Sequence, residues 1–208
     1  MRTLIARFAW NWRLHLLRNN LLLVLFFLVI GLTACTTAWV GEAQQIIAEL
    51  GPAITIILNL LAAFGVTKIS AADIQFVTSQ AAAVTSDLTL VGQMIDQYNA
   101  AAAADQPTIL AKIDDVLKTI QGNLNAILPG LHIVDAAVQA KVEAVVGAVI
   151  AEVETLKGFI PVLQGTVAIS SIAHIPLTGR QFRSQFNRVL RMRTGDASVD
   201  TITAQFQL

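Results

Sequence analysis

The sequence predicts an all-α protein: an up-down-up-down antiparallel four-helix bundle, with an apolar signal-like helix before it and a short basic helix after it. Apolar residues recur every three or four positions through most of residues 37–160, which is the spacing of one helix face. Short breaks that contain glycine, proline or polar residues separate this pattern into helix-length segments. No run of alternating apolar and polar residues long enough for a β-strand occurs before residue 166.

The apolar spacing places the four bundle helices at about residues 37–64, 71–102, 107–128 and 135–160. The residues expected to face the core are, helix by helix, Ile46, Leu50, Ile54, Ile57, Leu61 and Phe64; Ile74, Val77, Ala81, Val84, Leu88, Val91, Ile95 and Tyr98; Ile109, Ile113, Val116, Ile120 and Ile127, widened by Leu117, Leu124 and Leu128; and Val138, Val142, Val145, Val149, Val153, Leu156 and Ile160.

Capping residues support these boundaries. Ser70 can cap the second helix and Asp135 the fourth, because short polar side chains accept hydrogen bonds from the first free amides of a helix. Pro107 suits the first turn of the third helix, and Pro129-Gly130 is expected to end it. Because the connections are short, neighbouring helices should run antiparallel.

Charge is balanced over the chain, with 14 basic and 14 acidic residues, but it is unevenly distributed. Residues 1–34 carry four arginines and no acid. Residues 35–178 carry twelve acids, five lysines and no arginine, and residues 179–208 carry five arginines and two aspartates. We expect no nucleic-acid partner, since that needs a basic excess on the folded domain. The two basic ends are the parts expected to meet anionic lipid.

Residues 1–34 have the layout of an export signal. A region with four arginines precedes the apolar run 21–30, and small residues follow it. A short apolar core with these flanks is typical of a cleaved signal peptide rather than of a membrane-spanning helix. Cys35, the one cysteine of the chain, comes directly after this segment, and a lone thiol cannot form an internal disulfide.

The residues Leu32-Thr33-Ala34-Cys35 resemble the lipobox of bacterial lipoproteins. The resemblance implies cleavage between Ala34 and Cys35 and attachment of diacylglycerol to the Cys35 sulfur, followed by acylation of the new N-terminus with a fatty acid such as palmitate. Two or three acyl chains hold a protein firmly on a membrane. No other cofactor is expected. Thr36 after the cysteine resembles the outer-membrane sorting pattern, so the expected location is the outer membrane, facing the periplasm.

Two other interpretations of this segment remain open. Arg18 and Glu42 bracket 23 uncharged residues, which is enough for an uncleaved signal anchor. Trp39 would then lie at the outer membrane interface. Alternatively, Cys35 is an incidental buried cysteine. Residues 53–64 of the first bundle helix pose a similar choice between a core helix and a membrane-inserted segment, and their length favours the core.

We expect no catalytic or metal site. Di-metal bundles use Glu-x-x-His pairs, which this chain lacks. His15 belongs to the leader, and His132 is expected in a loop. His174 stands near Ser170 and Ser171, but no nucleophile elbow accompanies them.

The close pairs of carboxylates are also expected to be non-catalytic. Asp114 and Asp115 are adjacent on a helix, so their side chains point about 100° apart. Glu152 and Glu154 likewise diverge. Solvated helix faces therefore explain all four.

Residues 178–208 are expected to form a basic amphipathic helix and a frayed tail. Thr178 and Gln181 form a potential capping box. The apolar stripe is Phe182, Phe186, Val189 and Leu190. The candidate binding residues around it are Arg180, Arg183, Arg188, Arg191 and Arg193. Such a helix can bind anionic lipid or an acidic partner, or it can dock on the acidic bundle, which we favour.

Three domains follow: a signal peptide at residues 1–34, a bundle at 35–177 and a basic segment at 178–208. The function expected is that of a membrane-tethered, non-enzymatic envelope lipoprotein with a structural or interaction role. The alternatives are a helical binding protein for an apolar ligand, and a signal-anchored protein with a lipid- or partner-binding tail.

Overall fold

The structure is a computed structural model that describes residues 39–65, 68–163 and 178–208 of the chain. By its internal contacts the chain divides into two compact units, Met1–Trp39 and Val40–Leu208. The predicted signal peptide and Cys35 lie outside the described residues. The fold reported below is that of the second unit.

The described residues form six α-helices and no β-strand, which confirms the predicted all-α class. In chain order these helices are α1 (Trp39–Phe64), α2 (Ala71–Ala100), α3 (Gln106–Gly130), α4 (Ala136–Leu163), α5 (Gly179–Arg191) and α6 (Ala197–Thr203). The first four agree with the predicted bundle helices to within about three residues at each end.

Capping interactions explain where two of these helices begin. The Ser70 hydroxyl accepts a hydrogen bond of 3.1 Å from the Asp73 amide. One oxygen of Asp135 accepts bonds from the amides of Ala137 and Val138, at 3.0 and 3.1 Å. Both predicted caps are therefore confirmed, and each satisfies amides that lack a partner within the helix.

The ends of α1 and α3 depend on glycine and proline. After α1, Gly65 has a φ of 72°, a left-handed conformation that favours glycine and ends helices. In contrast, α3 continues through Pro129 to Gly130, two residues beyond the expected end. A proline in the last turn removes a single intrahelical bond, and the Leu131 amide still closes the turn on Leu128 at 3.3 Å.

Contacts near helix ends show how successive helices run. Gln44, early in α1, donates a 2.6 Å bond to Asp96, late in α2. The backbone amide of His132, just after α3, donates a 3.3 Å bond to Asp73 at the start of α2. Both contacts join the beginning of one helix to the end of its neighbour, so α1 and α3 each run antiparallel to α2.

The pair α3 and α4 is joined by side chains. Gln121 of α3 donates a 2.9 Å bond to Glu154 of α4, and Lys157 of α4 donates one of 2.5 Å to Gln121. These three residues mark the side of α4 that faces α3.

The core contains most of the predicted residues. All the core positions expected in the first and fourth helices are buried, as are those from Val77 to Tyr98 in α2. In α3 the buried face is rotated slightly from the predicted one. Leu110, Leu117 and Leu124 are fully buried, whereas Ile109 and Val116 are half-buried. A helix of 3.6 residues per turn drifts against a strict seven-residue spacing, which accounts for the shift.

One helix among the described residues is long and apolar enough to cross a membrane. This is α1, whose most apolar window has a mean hydropathy of 2.0 and is 44% buried inside the protein. An apolar helix near the N-terminus is compatible with membrane association or with a signal segment. Ile46, Leu50 and Ala53 in α1 are completely buried, as in a core helix.

The C-terminal tail differs from the frayed segment that the sequence predicts. Asp196 caps α6 by accepting bonds from the amides of Ser198 and Val199. The Asn187 side chain bonds both backbone groups of Leu208, at 2.8 and 3.3 Å. Short polar residues and one buried apolar position, Val199, are too weak a pattern for a sequence to predict such an ordered turn.

Candidate functional site

The candidate site is α5 and the surfaces of α1 and α4 on which it packs. The capping box expected at its start is present: the Thr178 hydroxyl accepts from the Gln181 amide, and the Gln181 side chain accepts from the Thr178 amide. The apolar stripe is buried, with Phe182, Phe186 and Leu190 each at most 1% exposed. The helix therefore docks on the rest of the unit by its apolar face.

Contact with α1 holds the first turns of α5. A Cβ atom added to Gly179 would lie 3.1 Å from backbone and Cβ atoms of Gln45, so any other residue would push the two helices apart by a few tenths of an ångström. One turn further, Arg183 binds the carboxylate of Glu49 through two nitrogens, with its Nε at 3.0 Å. This carboxylate raises the pKa of the Arg183 guanidinium.

These two contacts share one register. Gln45 meets Gly179, and four residues later in both helices Glu49 meets Arg183. Since the sequence separation is the same in both pairs, α5 runs parallel to α1 and lies beside it.

Contact with α4 holds the last turn of α5. Lys141, which is 2% exposed, directs its Nζ to the carbonyl oxygens of Val189 and Leu190, at 3.3 and 3.2 Å, and also to that of Met192. Burial lowers the pKa of Lys141. A cation at the C-terminal end of a helix satisfies free carbonyls and interacts favourably with the helix dipole.

The outer face of α5 carries the remaining predicted binding residues. The exposed residues are Arg180, Arg188, Arg191 and, after the helix ends, Arg193. Arg191 donates a 3.5 Å bond to Gln207. The pKa of Asp200 is lowered mainly by its hydrogen bond from the Thr194 amide, and Arg193 adds a smaller electrostatic contribution. No acidic residue occurs in α5. Four of the five candidate arginines thus point away from the core on one face or its C-terminal extension, whereas Arg183 is engaged by Glu49.

A polar groove of about 330 Å³ runs between α1 and α5. It is lined by Gln45, Ala48, Glu49, Gly179, Arg180 and Arg183. Both signs of charge line it, and the one acid among them is already paired with an arginine. The groove therefore presents charged and polar groups to a ligand that occupies it.

Glu152 corrects a sequence prediction. It was expected on a solvated face, but it is 0% exposed, and neither carboxylate oxygen has a hydrogen-bond partner among the described residues. Burial raises its pKa from about 4.5 to about 8. Glu152 follows Lys141 by eleven residues, three helical turns, so the two share the stripe of α4 that meets α5.

The sequence signal for Glu152 was weak. Its position lies three residues after Val149 and four before Leu156, which fits the buried face, but Val153 satisfies the same pattern equally well. Glu154, by contrast, is exposed as expected and accepts a bond from Gln121.

The other residues considered for chemistry remain apart. Asp114 and Asp115 both pair with Lys118, at 2.6 and 3.3 Å, as solvated helix residues. His132 lies in the loop after α3 with its ring 3.3 Å from Asp73, and the pKa of Asp73 is lowered first by Ser70 and then by His132. No group of three or more potential metal ligands occurs in the described part of the chain.

Several predicted residues lie outside the described part. These are His15, Ala34, Cys35, Ser170, Ser171 and His174.

Comparison with protein-family models finds no match to this sequence, and comparison with curated proteins and with solved structures finds none either.

Proposed function

We propose that this chain is a membrane-tethered lipoprotein of the bacterial cell envelope, which acts through contacts with other envelope components and not as an enzyme. The observation that carries the proposal is the motif Leu32-Thr33-Ala34-Cys35, directly after an apolar leader. The described part of α1 starts at Trp39, four residues after Cys35. A lipid on that sulfur would connect to the helical unit by a spacer of at most about 14 Å.

The tethered body is, in this proposal, an up-down-up-down antiparallel bundle of α1 to α4. Support comes from the antiparallel contacts of α2 with both its neighbours, and from the ion pair of 2.7 Å between Lys68, before α2, and Asp135, before α4. That pair requires the beginnings of α2 and α4 to lie at one end, as this topology demands.

The bundle as a whole provides the interaction module, with α5 docked along α1 and α4. Thr36, in place of Asp, favours the outer membrane, with the protein facing the periplasm. Burial of Ile46, Leu50 and Ala53 supports α1 as a core helix of this module rather than as a membrane span.

The second candidate is a signal-anchored membrane protein, which retains residues 1–34. The observation that favours it is the length of the uncharged segment between Arg18 and Glu42. Both candidates place the helical unit outside the cytoplasm. The third possibility, a binding protein for an apolar ligand, gains no support from the groove beside α5, which is lined by charged and polar side chains.

Replacement of the sulfur separates the two candidates. In cells supplied with labelled palmitate, the unchanged chain should incorporate the label and lose its leader. Cys35→Ser should do neither, because a hydroxyl cannot form the thioether. Thr36→Ser is the matched control and should be processed normally. Normal leader removal in Cys35→Ser, or absence of label from the unchanged chain, would contradict the lipoprotein.

The sorting residue gives a separate test. Thr36→Asp should leave lipid attachment intact but retain the protein in the inner membrane of a Gram-negative host, as the resemblance to lipoproteins implies. Equal amounts of Thr36→Asp and unchanged protein in the outer-membrane fraction would contradict the proposed location.

A further inference from the structure

We propose that the outer face of α5 is a docking surface for the anionic phospholipid headgroups of the membrane to which the chain is tethered. The proposal rests on the tether proposed above, and it names the component of the envelope that this face binds. The surface consists of Arg180, Arg188 and Arg191, with Arg193 at its end.

The chemistry of the face favours phosphate. The described residues from 40 to 163 contain lysines and no arginine, whereas α5 and the turn after it contain arginines and no lysine. A guanidinium presents a planar set of donors that matches phosphate oxygens in pairs. Arg180 and Arg191 are eleven residues apart, so the face extends over about 16 Å and can contact several headgroups at once.

The exposed residues of α1 and α4 beside α5 are uncharged, although Gln44 of α1 donates a hydrogen bond to the exposed Asp96 of α2. The exposed residues of α1 are Gln44, Gln45, Ala48, Pro52, Thr55, Asn59, Ala62 and Ala63. On α4, the residues just outside the Lys141–Glu152 stripe, on the side away from α3, are Ala144, Ala148, Ala151 and Thr155. Small neutral neighbours on these two helices let a flat membrane surface approach the arginines, and the carboxylate of Glu49 on α1 is already bound by Arg183.

The exposed acids of the bundle lie elsewhere. Among the described residues 40–163 they are Asp96, Asp105, Asp115, Glu143 and Glu154. The first three belong to α2, α3 and the turn between them. Glu154 bonds to Gln121 of α3, and Glu143 is three turns earlier on the same side of α4. The exposed lysines among the same residues are Lys112 and Lys118, both on α3. The unit therefore has a basic side formed by α5 and a side with an excess of exposed acids centred on α2 and α3, so an anionic surface would orient it with α5 toward that surface.

Burial of the apolar stripe defines the kind of binding. Because Phe182, Phe186 and Leu190 pack inside the protein, α5 cannot insert an apolar face into the lipid while it remains docked. Binding is then peripheral and electrostatic. Basic residues near an anionic membrane contribute additively, and loss of three of them should weaken the contact about a hundredfold. Such binding is strongly reduced by salt.

The place of the tether agrees with this orientation. The first turn of α5 lies beside Gln45, six residues after the start of α1, and α1 begins four residues after the proposed anchor. Cys35 is only ten residues before Gln45 in the sequence, so a tether at Cys35 would raise the local concentration of headgroups around the arginines.

A lipid-contact experiment on the full chain tests the proposal. Ser184→Cys, on the outer face between Arg180 and Arg188, carries a fluorescent probe, and Thr119→Cys on α3 is the matched control. Each protein is extracted from membranes and reconstituted into phosphatidylcholine vesicles with or without about one-third phosphatidylglycerol, which place the proposed face against an anionic or a neutral surface. A trace of headgroup-labelled quencher lipid is included, and the chain without an added cysteine serves as the labelling blank.

We expect strong quenching at position 184 in the anionic vesicles and little at position 119. Salt at about 1 M, where the Debye length is about 3 Å, should remove the difference. The triple change Arg180→Gln, Arg188→Gln and Arg191→Gln should also remove the difference in quenching, whereas the double change Lys112→Gln and Lys118→Gln should leave it intact. Unchanged circular dichroism of each variant verifies that the fold is intact.

Two results would overturn the proposal, and they are distinguishable. A chain that stays on the vesicles while position 184 is quenched no more than position 119 keeps its tether but lacks a lipid-binding face. Its arginines would then be assigned to an acidic protein partner or to solvent. A chain that does not associate with the vesicles at all removes the tether as well.

Discussion

Glu152 and Lys141 show how single buried charges shape this protein. Both lie on the stripe of α4 that meets α5, yet their surroundings differ. Lys141 finds three carbonyl oxygens at the end of α5, whereas Glu152 has no hydrogen-bond partner among the described residues. An ionised carboxylate is costly in such a site, so Glu152 is buried in its protonated form.

The raised pKa of Glu152 makes stability depend on pH. In the unfolded chain its carboxyl ionises near pH 4.5, whereas the folded protein keeps the proton to about pH 8. Between these values the folded state binds more protons, so the free energy of unfolding falls as the pH rises. Each unit of pKa difference corresponds to about 1.4 kcal/mol, and the total loss should be a few kcal/mol.

Glu152→Gln should abolish this loss, because the amide has the same shape and does not titrate. We expect the variant to be more stable than the unchanged protein at pH 8, when unfolding by denaturant is followed by circular dichroism. Glu154→Gln, on the exposed side, is the control and should keep the original pH profile. Parallel profiles for Glu152→Gln and the unchanged protein would show that Glu152 is solvated.

Lys141→Met should weaken the attachment of α5. The thioether fills the space of the alkyl chain but leaves carbonyls at the end of α5 without their donor, at a cost of about 1–3 kcal/mol in unfolding free energy. Lys112→Met, at an exposed position of α3, should change stability by less than about 0.5 kcal/mol. Equal midpoints of denaturant unfolding for Lys141→Met and Lys112→Met would mean that Lys141 does not hold α5.

At the scale of elements, α5 is an amphipathic helix whose apolar stripe is packed inside the protein. Its sequence alone allows two uses of that stripe, against lipid or against the other helices. The structure has the second arrangement, because Gly179 permits close approach to Gln45 and Glu49 pairs with Arg183. Neither partner can be identified from spacing within α5 itself, since both lie more than a hundred residues away.

Phe186→Ala should release α5 from the bundle. Phe186 is fully buried, and removing such a ring costs about 3–5 kcal/mol. The arginines of α5 should then become rapid sites of trypsin cleavage. Gln185→Ala, at the exposed neighbouring position, should leave cleavage slow. If trypsin cuts α5 of the unchanged protein as fast as that of Phe186→Ala, the helix is not docked in solution.

The features of the fold that the sequence predicts and those that it does not predict depend on different kinds of contact. Regular apolar spacing sufficed to predict α1 to α4 and their core, because burial of one face dominates helix packing. The caps at Ser70 and Asp135 were predictable because they depend on residues two or three positions away. Glu152, Lys141 and α6 were not, because their burial depends on contacts with distant parts of the chain.

At the scale of the whole molecule, the distribution of charge is the main property that local patterns do not define. The sequence already shows an acidic middle and basic ends. The fold then places α5 between the neutral surfaces of α1 and α4, and it leaves exposed acids on α2, α3 and the adjoining side of α4. The candidate arginines were predictable as residues, but the separation of charge into two sides needed the packing.

Membrane attachment through one sulfur is the premise on which the proposed function and the lipid-facing surface depend. It is tested most directly by the intact mass of the protein extracted from membranes. We expect a chain that begins at Cys35 and carries the added mass of diacylglycerol and one further acyl group. A chain that retains residues 1–34 with an unmodified Cys35 would contradict it.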